Sequence, residues 1–205
     1  TGSGKTRTLY SCLQALNQSH RNLCSVEDPI EIRLPGINQV TYHPRTGLDF
    51  STIIRALLRQ DPDVIMIGEI RDRASAELAI QAAQTGHLVL STLHTRNARG
   101  ALARLQALGI DREAMESCVR SISSQRLVQR ICSHCQKIKS ATDDLCKLCN
   151  GTGYFGRLGV HEVLSDQQLM ISDLQYLTMY EAGLRHVQQG WIEQRTLDAE
   201  VGKWS

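Results

Sequence analysis

Thr1-Gly2-Ser3-Gly4-Lys5-Thr6 is the stretch from which the rest of the chain is read. It is the closing part of the pattern G-x-x-x-x-G-K-[ST], in which backbone N–H groups of a glycine-rich turn converge on phosphate oxygens. Gly2, Ser3 and Gly4 are the expected backbone donors, and the two glycines allow conformations that a side chain would block. Lys5 supplies a point charge to the β and γ phosphates, and the Thr6 hydroxyl suits Mg²⁺. A helix must follow, turning its positive end to the anion, and Leu9, Cys12, Leu13 and Leu16 recur at helical spacing. The pattern's first glycine and the strand that feeds it are expected upstream of Thr1, so the chain is read as an N-terminally truncated fragment.

The 205 residues suffice for one good core and a small appendage. A net charge of +2 and an aromatic content of 4% offer neither a strong field nor a stacking surface for nucleic acid. No apolar run approaches the ~18 residues of a transmembrane helix. Of seven cysteines, Cys12, Cys24 and Cys118 read as buried thiols. The other four form two turns, Cys132-Ser-His-Cys135 and Cys146-Lys-Leu-Cys149. Two such turns close a tetrahedral four-thiolate Zn²⁺ site, and in a reducing compartment paired cysteines more often bind metal than form disulfides. A closed site of this kind is structural: it folds a segment too poor in apolar residues to fold alone.

Up to residue 95, strand and helix alternate. Strands are expected at 23–26, 39–42, 64–67 and 87–93, and helices at 51–59 and 74–84. The uninterrupted apolar run Val64-Ile65-Met66-Ile67 marks a central strand buried on both faces. The alternation predicts an α/β fold with a mostly parallel sheet covered by helices. Residues 97–127 read as mainly helical, 159–164 as a last strand and 179–189 as an amphipathic helix. The expected domains are a core over 1–127, a tetracysteine zinc subdomain over 128–165 and a helical C-terminal subdomain over 166–205. The upstream strand is expected to pair with Val64–Ile67, so that its absence opens a central edge.

The strand at 63–67 runs into Gly68-Glu69-Ile70-Arg71-Asp72, and a phosphoryl-transfer site needs an acidic group at such a strand end. The usual Asp position here holds Gly68, and the acid follows as Glu69. Taken together, TGSGKT (1–6), VEDPIE (26–31), LRQDPDVIMIGEIRD (58–72), TGHLVLSTLH (85–94), the two CxxC pairs and TGYFGRLGVHEVL (152–164) resemble the secretion ATPases of type II secretion and type IV pilus assembly over nearly the whole chain.

The resemblance implies a RecA-like P-loop NTPase core that uses ATP and Mg²⁺, with Zn²⁺ on the cysteines. Lys5 and Thr6 match its phosphate-loop lysine and Mg²⁺ ligand. Glu27, Asp28 and Glu31 match its acidic box, with Glu31 as the residue that orients or activates the attacking water. Glu69 matches the acid of its Walker B segment, and His87 and His94 match its histidine box near the γ-phosphate. Arg55 and Arg59, four apart on one helix stripe, resemble arginines that reach a nucleotide in the assembled ring. A hexameric ring is also implied, cytoplasmic and peripheral at the inner membrane of a bacterium, docked to platform proteins and with no nucleic-acid partner. The tetracysteine favours the assembly or export branch.

Glu31 and Glu69 are both candidates for placing the water. Lys5, Glu31, Glu69 and His87 are expected to converge on one rim of the sheet. Two other readings stand beside this one. A nucleic-acid-stimulated motor would grip single strands with a zinc knuckle bearing Lys137, Lys139, Lys147, Tyr154 and Phe155. A catalytically idle fragment would serve an interaction role, and the span 1–205 by itself is expected to be inactive.

Overall fold

The computed structural model describes residues 2–43, 47–137, 146–165, 167–170 and 175–202. Thr1, most of the segment between the two cysteine pairs and Lys139 within it, and the last three residues lie outside the described residues. The chain divides into two units, Lys5–Arg120 and Ser121–Ser205 with Thr1–Gly4.

In the Lys5–Arg120 unit the elements run α1 (Lys5–Leu16), β1 (Leu23–Glu27), β2 (Asn38–Thr41), α2 (Phe50–Leu58), β3 (Val64–Ile67), α3 (Arg73–Gln84), β4 (Leu88–Ser91), α4 (Ala98–Ala107) and α5 (Arg112–Cys118). The four strands form one parallel sheet in the order β2-β1-β3-β4. Side chains alternate across a strand, which divides the apolar runs between two helical layers. Leu23 of β1 and Val64 and Met66 of β3 pack with Tyr10 and Leu13 of α1. Cys24, Val26, Ile65 and Ile67 pack with Ile53, Ile54 and Leu57 of α2 and Ala76, Ala79 and Ala82 of α3. Short polar side chains start the helices: Asp49 accepts from Thr52 N at 2.6 Å, Asp72 from Ser75 N at 2.8 Å and Asn97 from Gly100 N at 2.8 Å.

β3 is paired on both sides, with β1 and with β4. The open central edge expected there is therefore absent, and the sheet edges are β2 and β4. The expected strands and helices up to residue 93 are present within a few residues of their predicted ends.

In the other unit the elements are β5 (Ser121–Ile131), α6 (Ser133–Lys137), β6 (Tyr154–Ser165), α7 (Gln167–Met170), α8 (Met179–Gln188) and α9 (Gln194–Glu200). β5 and β6 pair antiparallel from Ser121↔Ser165 to Ile131↔Tyr154, with an irregularity between Gln129 and Ile131. Val128 and Val160 of the hairpin pack with Met179 and Ala182 of α8 and Ile192 and Leu197 at α9. Residues 121–127, expected to be helical, are strand. The division falls at Arg120/Ser121 rather than at 127/128, and the cysteine segment shares its unit with the helical tail. Among the described residues no helix is long and apolar enough to cross a membrane.

Candidate nucleotide site and metal centre

Gly2 and Gly4 both adopt left-handed backbone, φ 80° and 86°, and the chain then enters α1 at Lys5. A Cβ at Gly4 would also lie 2.9 Å from Gln125 Nε2. The first N–H groups of α1, at Lys5 and Thr6, have no carbonyl four residues back within the helix, which leaves a helix N-terminus disposed to bind an anion.

Because the strands are parallel and in register at Val26↔Ile67, β1 and β3 deliver Asp28 and Glu69 to the same rim of the sheet. Gly68 N donates to Val26 O at 2.8 Å, and a Cβ at Gly68 would lie 3.2 Å from that carbonyl. The acid thus falls two residues past the end of β3. Thr92 stitches β4 to the same turn, its Oγ1 donating to Gly68 O at 2.7 Å and its carbonyl accepting from Ile70 N at 2.9 Å.

This turn fixes the central constellation. Glu69, whose side chain is 15% exposed, bonds His94 Nε2 through Oε2 at 2.9 Å and forms an ion pair with Arg71 Nε through Oε1. Arg71 Nη1 reaches Asp28 Oδ2 at 3.3 Å. Partial burial, then the positive charges of Lys5 and Arg71, hold the His94 imidazole below its ordinary pKa. A neutral His94 facing a carboxylate carries its proton on Nε2 and donates it. Ser91 Oγ, on β4, is buried and unbonded among the described residues.

Glu27 is 3% exposed and its carboxylate is fully engaged. Tyr10 OH donates to Oε2, while Ser25 Oγ at 2.6 Å and Gln39 Nε2 at 3.0 Å donate to Oε1. Burial first, then the bond to Glu27, raise the Tyr10 phenol above its ordinary pKa, so it remains a donor. A nucleotide contact was expected of Glu27; in the structure both of its oxygens bond side chains within the fold. Glu31 is exposed in the loop after β1, its backbone N–H bonded to Tyr10 OH at 3.1 Å.

His87 is a second correction. It precedes β4, so it lies at the opposite rim from His94, with the whole length of that strand between them. There its Nδ1 lies 2.9 Å from Ala82 O and 3.1 Å from Thr85 Oγ1, closing the turn after α3. The expected convergence of Lys5, Glu31, Glu69 and His87 therefore fails at His87. Arg55 and Arg59 are exposed on α2, which runs back from Asp49 toward the opposite rim. Arg59 caps its end there, beside Gln60 O, which accepts from Asn22 Nδ2 at 2.7 Å. Tyr10, Ser25, Gln39 and Ser91 were not singled out from sequence; Tyr10 carries only the signal of an apolar helix face.

The four Sγ atoms of Cys132, Cys135, Cys146 and Cys149 lie within 4.8 Å of one another. Cys132 and Cys146 approach to 3.9 Å, and Cys135 and Cys149 to 3.5 Å. Thiolates at tetrahedral corners around one zinc stand about 3.8 Å apart, so the set fits such an ion with no position left open. Left-handed Asn150, Gly151 and Gly153 turn the second pair, and Cys132 N donates to Gly153 O at 2.8 Å. Burial disfavours the Cys149 thiolate. Backbone N–H groups of Gly153 and Gly151 and the neighbouring thiols outweigh that and bring Cys149 to about 6. Cys135, bonded first to Cys149, is pushed up to about 12. His134 Nδ1 lies 3.4 Å from Cys146 Sγ, as a neighbour of the cluster.

The model of the family described as type II/IV secretion system protein matches residues 1–199. The chain belongs to that family. It is 45% identical to the type II secretion system ATPase E of Vibrio cholerae over 89% of this chain and 39% of that protein. It is 47% identical to the type IV pilus assembly ATPase PilB of Pseudomonas aeruginosa over 81% of this chain and 33% of that protein. A crystal structure of the pilus retraction motor PilT with bound ADP superposes with a TM-score of 0.74 at 28% identity, covering 96% of this chain and 57% of that one. The chain spans between 30% and 42% of the length of the first curated relatives it matches.

Proposed function

We propose that the chain is the catalytic part of a Mg²⁺-dependent ATPase subunit, a motor that drives pilin or pseudopilin assembly. The observation that carries this reading is Glu69, held between His94 and the Arg71–Asp28 pair at the rim to which β1 and β3 point. The family's secretion and pilus ATPases support it. Phosphoryl transfer asks the protein mainly for placement of water and neutralisation of charge. Lys5 and the loop N–H groups bind the phosphates, with Gly2, Ser3 and Gly4 shaping the loop. The Thr6 hydroxyl would hold Mg²⁺, which would neutralise phosphate charge. Glu31, free in solvent, orients the attacking water. Glu69 fixes the His94 ring with its proton on Nε2, and Arg71 pairs with the same carboxylate. Arg55 and Arg59, exposed on α2, are assigned to a neighbouring subunit's nucleotide in a hexameric ring. The ring would work in the cytoplasm against platform proteins of the inner membrane, and the four cysteines would hold a structural Zn²⁺.

In the full-length protein, Lys5→Ala is expected to abolish ATP turnover. Glu31→Gln or Glu69→Gln is expected to lower kcat about a hundredfold or more. Wild-type turnover in Lys5→Ala would sink the assignment.

A further inference from the structure

Tyr10 stands one and a half turns into α1, about 7.5 Å along the axis from Lys5, and it is 4% exposed. Its hydroxyl donates to Glu27, which directs the oxygen lone pairs the other way, and there they accept from Glu31 N at 3.1 Å and Ile32 N at 3.4 Å. Gln39 of β2 holds the same loop from its other side. Its Nε2 donates to Ile32 O at 3.1 Å as well as to Glu27, and its Oε1 accepts from Leu34 N at 2.7 Å. Asn17, just past α1, donates to Pro35 O at 2.9 Å, and Leu34 packs into the Tyr10–Leu13 cluster.

We propose that Tyr10 is a positioning residue: through Glu27 and the N–H groups of Glu31 and Ile32 it locks the loop that carries Glu31 to the helix that begins at Lys5. The inference rests on the reading of Glu31 as the water-orienting acid. The loop between β1 and β2 lies outside the paired residues of those strands, and a misplacement of about 1 Å can cost a hundredfold in rate. Burying a charge is costly unless it is hydrogen-bonded, and here three neutral donors offset that cost. What the carboxylate supplies is direction, since an apolar residue at 27 would leave the Tyr10 hydroxyl free to rotate. The network thereby gives the phosphate-binding helix and the water-orienting acid one common register.

The test uses the full-length protein. Tyr10→Phe is expected to lower kcat about tenfold while leaving KM for ATP and the affinity for a fluorescent ATP analogue unchanged, because Lys5 and Thr6 are untouched. Combined with Glu31→Gln, it is expected to add nothing. Gln39→Met, which frees the loop from the β2 side without altering α1, is expected to reproduce the loss. Wild-type kcat in both single variants overturns the proposal, as does a tenfold penalty that persists undiminished beside Glu31→Gln. If Glu31→Gln alone turns over normally, the assignment of the water to Glu31 fails instead. Hydrogen exchange then judges Tyr10 separately: the amides of Glu31 and Ile32 are expected to exchange at least tenfold faster in Tyr10→Phe, and unchanged exchange overturns the locking role.

Discussion

At Gly68 a methyl group would meet Val26 O at 3.2 Å and Glu27 Cα at 3.4 Å, so a side chain there would crowd the backbone of β1. The acid that an Asp would provide there is displaced to Glu69, where it meets His94 and Arg71. His94 reports on this arrangement. Burial and the charges of Lys5 and Arg71 disfavour its imidazolium, so its folded pKa lies below the ordinary value of about 6.5. The unfolded chain therefore takes up that proton first as pH falls. Stability is lost from the ordinary histidine pKa down to the folded one and not further below it. Lys5→Ala removes one of these charges and is expected to raise the His94 pKa, read by NMR titration of its ring. An unmoved titration would show that the Lys5 ammonium lies too far away to act.

β5 shows how an element can be hidden in its own sequence. Ser121–Ile131 places Ile122, Ser124, Arg126 and Val128 along one side, too mixed in polarity to show the period of a strand. Only pairing with β6 and the packing of α8 and α9 decide its face. The helix α8 carries Gly183 in its interior, where alanine would ordinarily gain about 1 kcal/mol from helix propensity. A Cβ there would lie 2.2 Å from Leu197 Cδ1, and Leu197 is fully buried. Overpacking of this kind costs about 1–3 kcal/mol, so the clash prevails. Gly183→Ala is expected to destabilise the α8–α9 pair, seen as faster hydrogen exchange at amides of both helices. Slower exchange would show that Leu197 moves aside without cost.

For the molecule as a whole, the proposed zinc has a local consequence. One ion per chain is expected by metal analysis, and chelation is expected to speed exchange across Cys132–Cys135 and Cys146–Gly153 while leaving the amides of Lys5–Arg120 nearly unchanged. Equal protection with and without metal would remove the ion's structural role. Much of this was legible without coordinates. The glycine-rich turn before α1, the Gly68-Glu69 step and the CxxC pairs could be read because their chemistry sits in consecutive residues. β1, β3, α2 and α3 could be read because each buries an unbroken or periodic apolar set. The sequence by itself determined the element order up to residue 93, the family resemblance and the metal-ligand spacing, all of which depend on near neighbours in the chain. Only the tertiary structure decided that His94 and not His87 meets Glu69, that Glu27 turns inward while Asp28 turns to Arg71, and that Tyr10 ties α1 to the Glu31 loop. Each of those outcomes depends on which rim a strand points to and which partner lies beside it, and strand pairing brings together residues that are far apart in sequence.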